Sequence, residues 1–583
     1  IPRIKSEQLY FLSTMRTSRD IYRIGLAFGA LLAAVPQTRA TEALFPFEVH
    51  DVSIPMQDGG KLSGKVYLPG EGPHPTIVTI TQSSHQSWDK SHLPRASFAR
   101  SGDYAVLFVN TRGRRASRDN PTRGGRNPFG KDGYDVIEWA ASQSWSDGKI
   151  GMWGGSNEGK NQYATAQAQP PHLRCIMPAL TTSDTKEEGN LPRSYEQLYL
   201  GGVLRRELID RLPPSSRALQ QVLSHPLHDT SFWKRRDPTA PTVADIEVPV
   251  ITIGAWFDND VNRASLRTFK TLLSETSVAL RLHHRLLIGP WTHTGMYIDG
   301  LHGQLSYDNS AQRYQQREKQ FFDHWLLGAD NGEEKVPAIT YYQMGVNRWR
   351  TTPHWPPEGM CEVSFFLHPD RTLSSVPPPN GAASVAFASD PDNPVPTVGG
   401  QNKTQVAGKG SWDQREKVEA HRDAIVFSTP PLERDLEIAG DVSLRLHLSS
   451  DAEDTDVAFR LTDVHPDGRS MLLRDGIVRL SLRNSFERYE FLTPGEIYAA
   501  TVETIPIAHT FEAGHRLRLI VSGSNYPRWD VSGNTRDKSA PPRVATNALH
   551  LEPEHPTHLV LPVIDTSVSS KRQTDGTKSE RKP

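Results

Sequence analysis

Between residues 49 and 328 the chain repeatedly places a short, wholly apolar run before a stretch with helical spacing. The runs are 76–80, 105–109, 150–153, 175–177, 250–253 and 286–288. A strand covered on both faces reads as a continuous hydrophobic run, and such strands occur in parallel sheets whose crossovers are helices. This alternation therefore predicts an α/β domain. Asp132 is placed to cap a helix over 133–139, whose apolar spacing gives one buried face. Residues 183–245 interrupt the alternation with polar, helix-like sequence, which reads as a helical cap inserted over the sheet. After an amphipathic helix at 312–327 the period changes to two, as in 442–448 and 516–521. Alternation with one polar face is what an antiparallel sandwich requires.

Composition narrows the function classes. Lys and Arg total 66 against 67 Asp and Glu, a net charge of −1 that argues against a nucleic-acid partner held by overall charge. Cys175 and Cys361 are too few for a disulfide framework, and Cys175 falls in a strand expected to be buried. Met15 opens a stretch with Arg16, Arg19 and Arg23, an apolar run over 24–35, and the small residues Thr38 and Ala40 around Arg39. That is the pattern of a secretory signal peptide, and the run is too short to span a bilayer as a helix. The expected division is an upstream segment 1–14, a signal peptide 15–40, a catalytic α/β domain 41–330 with its cap at about 183–245, a β-sandwich 331–568 and a disordered tail 569–583. A periplasmic or secreted protein with no membrane contact in its mature form follows as an expectation.

The chemistry is concentrated at three strand ends. Directly after 150–153 comes Gly154-Gly155-Ser156-Asn157-Glu158-Gly159, followed by helix-competent sequence. A serine between small residues at a strand-to-helix turn suits a nucleophile elbow, and the helix start offers free N–H groups to an oxyanion. Gly254-Ala255-Trp256-Phe257-Asp258-Asn259-Asp260 follows a later strand, and Gly289-Pro290-Trp291-Thr292-His293 follows the last. Ser, Asp, His in that chain order is the α/β-hydrolase arrangement. The hydroxyl needs a base, and the imidazole needs a carboxylate to fix its tautomer. Asp258 and Asp260 compete for that last role. No metal is expected, because His283-His284 has no Cys, Asp or Glu at ligand spacing, and no cofactor is expected either. Residues 112–118 form a basic run that reads as a solvated loop.

The run Asp132 to Trp139, then Gly148 to Ser156, Trp256-Phe257-Asp258 and Gly289 to His293, resembles the cocaine esterase and X-Pro dipeptidyl-peptidase family. Asp463-Val464-His465-Pro466-Asp467-Gly468-Arg469 and Gly514-His515-Arg516-Leu517 extend the resemblance through the second half. It implies an α/β-hydrolase fold with a C-terminal jelly-roll domain of the galactose-binding-like type. It also implies Ser156 as nucleophile, His293 as general base and Asp258 as orienting acid. Asn157 stands where the family usually carries Tyr, which leaves its backbone N–H free to serve the oxyanion. Ser83 stands at or near the position of a second family Tyr whose hydroxyl is the other oxyanion donor. Gln82, Ser84 or His85 could substitute from a shifted loop.

Related α-amino-acid ester hydrolases hold the substrate ammonium with a carboxylate cluster. Asp260 matches one member, and Val261 departs from the next. Asp184, Glu187 and Glu188 in the cap are further acids. Asp260, Trp256 and Trp291 are the expected substrate-binding residues. The expected protein is a serine hydrolase acting on an ester or amide of a small acyl substrate through an acyl-enzyme, with self-association compatible with the sequence. An X-Pro dipeptidyl aminopeptidase or α-amino-acid ester hydrolase is the alternative within the family. The rival from another class is a catalytically impaired, hydrolase-like binding protein.

Overall fold

The computed structural model describes residues 47–565 apart from 84–95, 121–126, 184–186, 189–190, 193–194, 211, 229–230, 234–242, 259–260, 294, 298–299, 382–383 and 403–406. The expected upstream segment, signal peptide and tail lie outside the described residues.

Ten strands form the first sheet: β1 (Glu48–Pro55), β2 (Lys61–Leu68), β3 (His74–Thr81), β4 (Ala105–Asn110), β5 (Ser146–Gly155), β6 (Leu173–Ala179), β7 (Ile251–Phe257), β8 (Arg285–Thr292), β9 (Ile339–Gln343) and β10 (Arg348–Thr352). Their order is β1-β2-β4-β3-β5-β6-β7-β8-β9-β10, and the seven strands from β4 to β9 run parallel. Neighbouring residues of one strand serve opposite layers, which explains why the runs are wholly apolar. Ile77, Val106, Trp153 and Met177 pack with Phe98 and Phe322 on one face. Val78, Leu107, Met152 and Ile176 pack with Val136, Ile137 and Tyr163 on the other. The helices that cover the sheet include α1 (Ser97–Ser101), α2 (Pro128–Ala141), α3 (Asn157–Ala166), α4 (Val261–Glu275) and α5 (Ser310–Phe322).

Asp132 does not cap a helix. α2 starts a turn earlier, with Pro128 at its first position and the Asn127 side chain accepting the Gly130 N–H at 3.0 Å. Asp132 lies inside the helix and accepts from Arg112 Nε and Nη2 at 2.9 and 2.8 Å. Arg112 is buried and also reaches Asp58 at 3.2 Å, so the solvated-loop reading holds for Arg114, Arg115 and Arg118 but not for Arg112. Without Asp132 the buried Arg112 keeps only the partly exposed Asp58 as a counter-charge, so the loss is that of charge-assisted hydrogen bonds, about 1.5–3 kcal/mol. Urea unfolding of Asp132→Ala is expected to show a loss of that size; a change under 1 kcal/mol contradicts the pairing.

The cap carries its own small core, in which Tyr195, Leu198, Tyr199, Leu208, Val222 and Trp233 meet. It rests on the second half of the chain. Gly201 C=O accepts the Arg479 N–H, and Leu204 C=O accepts the Asp530 N–H, each at 2.8 Å.

That second half contains a nine-stranded and a four-stranded antiparallel sheet. Leu444, Leu446 and Leu559 of the larger share a core with Phe459, Leu461 and Leu519 of the smaller. The expected strands at 442–448 and 516–521 correspond to Ser443–Ser450, which starts one residue later, and Arg516–Ser522. The expected polar outer face is missing from Asp456–Val464, which is buried throughout. The cap helps to cover it, with Val203 packed against Ala458 and Ile477. The two halves are also joined through backbone: the Met344 N–H, just past β9, donates to Ala508 C=O, and Met344 C=O accepts from the Thr510 N–H. Cys175 is buried, Cys361 is exposed and neither is paired. No helix among the described residues is long and apolar enough to cross a membrane.

Candidate active site

Ser156 lies between β5 and α3 with φ 57° and ψ −116°. A non-glycine residue at positive φ is strained, and such strain persists only where surrounding structure imposes it. Here the Ser156 N–H donates to Ala179 C=O at 2.8 Å, and its C=O accepts from the Lys160 N–H at 3.1 Å. The turn requires small neighbours. Gly154 has φ 134°, and a Cβ there would lie 2.6 Å from Glu158 Cβ; one on Gly159 would lie 2.5 Å from Thr181. Asn157 is the first residue of α3, so its N–H is among those an α-helix leaves without an intrahelical partner.

Asp258 and His293 follow β7 and β8, on the same sheet edge as Ser156. Phe257 pairs with Thr292 in the register of these strands, so the next residue of each stands beside the other. His293 Nδ1 and Asp258 Oδ2 are 2.9 Å apart. The Asp258 side chain is 0% exposed and the His293 ring 17%. With the carboxylate accepting, Nδ1 carries the hydrogen and Nε2 keeps its lone pair, the tautomer a general base needs. The chain beyond His293 folds back onto the elbow, for a Cβ on Gly155 would lie 3.2 Å from the Met296 methyl.

The other expected site residues fare unevenly. Ser83 is exposed, just past the end of β3. Its N–H donates to Thr81 Oγ1 at 3.0 Å, and its C=O accepts from Asn110 Nδ2 at 2.7 Å. Ser84, His85, Asp184 and Asp260 lie outside the described residues, and so do the side chains of Glu187 and Glu188. Trp256 and Trp291, the other expected substrate-binding residues, are placed inside the core. Both are fully buried: Trp256 donates from Nε1 to Tyr342 C=O at 2.7 Å, and Trp291 packs edge-on against Tyr314. A side chain with no exposed surface has nothing to present to a substrate, and their positions beside Asp258 and His293 reflect the strands' need for core aromatics.

Two buried carboxyls near the site were not anticipated. Glu158 accepts from Thr81 Oγ1 at 2.6 Å, and burial pushes its carboxyl up despite that bond. Glu318 of α5 accepts from the Ser97 N–H, Ser97 Oγ and Trp153 Nε1 at 2.6, 2.7 and 2.6 Å. Trp153 is three residues before the serine. Burial pushes Glu318 up to about 7, with the hydrogen bonds from Ser97 and Trp153 opposing. An acid on a helix ordinarily reads as solvated, so only the packing of α5 onto β5 reveals it.

Because the folded value lies above the ordinary one of 4.5, the unfolded chain loses this proton first and stability falls as pH rises between them. The decline attributable to Glu318 is about 3 kcal/mol between about pH 4.5 and 7, and flat above. Urea midpoints of wild type and Glu318→Gln across that range test it. Identical slopes contradict the assignment.

Elsewhere, Asp463 accepts from His509 and His515 at 3.0 and 2.8 Å, and His465 lies 4.0 Å away. Burial opposes the charge, yet the two histidine bonds hold Asp463 below the usual carboxylate range. This group lies in the C-terminal half, outside the site.

The pattern of the X-Pro dipeptidyl-peptidase (S15 family) matches residues 58–197 and 192–295, and that of the X-Pro dipeptidyl-peptidase C-terminal non-catalytic domain matches 331–560. The chain belongs to this S15 family. It is accordingly a serine hydrolase, and the rival reading as an impaired binding protein is set aside. The cocaine esterase of Rhodococcus sp. (strain MB1 Bresler) is 28% identical over 579 residues, spanning 88% of this chain and 98% of that protein. Among solved structures, an α-amino acid ester hydrolase matches with TM-score 0.75 at 22% identity, over 91% of this chain and 100% of that one. An aminopeptidase from a marine sediment Thaumarchaeota archaeon matches with TM-score 0.74 at 22% identity, over 91% and 99%. These two likenesses establish the S15 fold: an α/β-hydrolase unit with a C-terminal β domain.

Proposed function

We propose that this S15 hydrolase cleaves a carboxylic ester or amide of a small acyl substrate through an acyl-enzyme. Ser156 Oγ attacks the carbonyl carbon while His293 Nε2 takes its proton, and Asp258 holds the imidazole in register and balances its charge. The Asn157 N–H and a donor from the turn at 81–83 receive the developing oxyanion. His293 then protonates the leaving group, and water, deprotonated by the same imidazole, releases the acid. The observation that carries this reading is the strained backbone of Ser156, imposed on a serine at the start of a helix.

An ester ranks above an X-Pro peptide for a physical reason. A free amine needs a carboxylate anchor, and Val261 replaces one acid of the cluster that would supply it. The Rhodococcus relative, an esterase by name, points the same way. An aryl ester such as 4-nitrophenyl butyrate is expected to give a kcat/KM at least 10-fold above that for an Ala-Pro anilide. The opposite order makes the protein a dipeptidyl-peptidase.

The sandwich reads as a jelly roll, supported by its two antiparallel sheets around one core. Export to the periplasm or medium and a mature form free of membrane and nucleic acid complete the proposal. They rest on the leader pattern and the neutral charge.

A further inference from the structure

The elbow helix and the turn after β3 are tied together by buried side chains. Glu158, in the first turn of α3, accepts from Thr81 Oγ1 at 2.6 Å. The same Thr81 oxygen accepts the Ser83 N–H at 3.0 Å. One turn further along α3, Asn161 Nδ2 donates to Ile80 C=O at 2.7 Å. From the other side the Thr111 N–H donates to Thr81 C=O at 2.8 Å, and Asn110 Nδ2 to Ser83 C=O at 2.7 Å. Glu158, Asn161, Asn110 and Thr81 are all buried.

A buried carboxyl beside the nucleophile costs solvation, which is visible in its raised proton affinity. It also needs room, and Gly154 supplies it: any Cβ there would meet Glu158 at 2.6 Å. These contacts fix the 81–83 turn against the helix that carries the Asn157 N–H. They also sort the donors of the turn. Ser83's N–H is occupied, whereas the Gln82 N–H meets no acceptor among the described residues.

We infer that Glu158 is a positioning residue which, through Thr81, holds the 81–83 turn so that the Gln82 N–H supplies the second oxyanion donor. A backbone N–H would then stand in for the family's Tyr hydroxyl, whose position Ser83 occupies or adjoins. This rests on the acyl-transfer reading above. An oxyanion donor acts only when it is already aimed at the place where charge develops, so a turn held by these bonds and an N–H with no acceptor among the described residues together perform what a longer side chain does. Glu158 touches no reacting atom.

The test compares wild type with Thr81→Val, Thr81→Ser, Glu158→Met, Glu158→Gln and the double variant Thr81→Val/Glu158→Met. Ester turnover is measured per active site titrated with a fluorophosphonate. Thr81→Val is nearly isosteric and deletes the link; kcat is expected to fall about 10–100-fold with KM within about threefold. Glu158→Met is expected to match it, and the double variant to fall no further, because one link is broken in each. Thr81→Ser and Glu158→Gln keep the hydroxyl and an acceptor oxygen and are expected to retain kcat within about threefold.

Losses that multiply in the double variant overturn the inference. So does a Thr81→Val kcat within threefold of wild type, a change carried by KM, or no rescue by serine. A wild type that fails to titrate at Ser156 is a failure of the hydrolase reading itself, and the two failures are thereby distinguished.

Discussion

Ser156→Ala is expected to lower ester turnover by about 10⁴–10⁶-fold. The size follows from the chemistry: without Oγ no acyl-enzyme forms, and the remaining rate comes from binding and the oxyanion donors alone. The structure makes this serine hard to replace. Its backbone is held at φ 57° by hydrogen bonds on both sides, and close approaches at Gly154 and Gly159 leave no space for a shifted turn. Because the side chain makes no capping bond to α3, alanine removes no structural contact there. The fold should therefore persist, with an unfolding midpoint close to that of wild type. A kcat within 100-fold of wild type would place the nucleophile elsewhere.

Asp258→Asn should cost about 10⁴-fold in kcat while leaving KM nearly unchanged. Asparagine keeps the shape, so the pairing of β7 with β8 is undisturbed. Its amide can present N–H to Nδ1 of His293, which turns the ring to the tautomer whose Nε2 already carries a hydrogen. Such a ring cannot accept the Ser156 proton. The 2.9 Å contact and the complete burial of Asp258 make this the place where one proton decides activity. Asp260→Asn is the control, since it was the competing acid in the sequence. If Asp260→Asn abolishes kcat and Asp258→Asn does not, the orienting roles are reversed.

The parallel sheet was legible because each of its strands is covered on two faces, and a run such as 105–109 has no polar residue to obscure that. The triad order was legible for the same reason: the strand ends are where the apolar runs stop. What the next layer contributes was not. Asp132 carries the composition of a cap, yet it partners Arg112 from a different segment. Trp256 and Trp291 stand beside the acid and the base in sequence and point into packed cores in space. The outer face of Asp456–Val464 reads as half polar until the cap settles on it. Glu158 and Glu318 look like ordinary helix acids, and their burial depends on Thr81, Ser97 and Trp153, which lie far away in the chain. Pairings of this kind are set by three-dimensional packing and leave no periodic trace.

Acylation of Ser156 is the step on which the proposed chemistry of this S15 hydrolase depends. Incubation of the full chain with a fluorophosphonate, followed by peptide mass spectrometry, tests it most directly. A single phosphonyl adduct is expected on the peptide containing Ser156, formed at least 100-fold more slowly in His293→Ala and absent in Ser156→Ala. Stoichiometric labelling of another residue, or none in a folded wild-type protein, contradicts it.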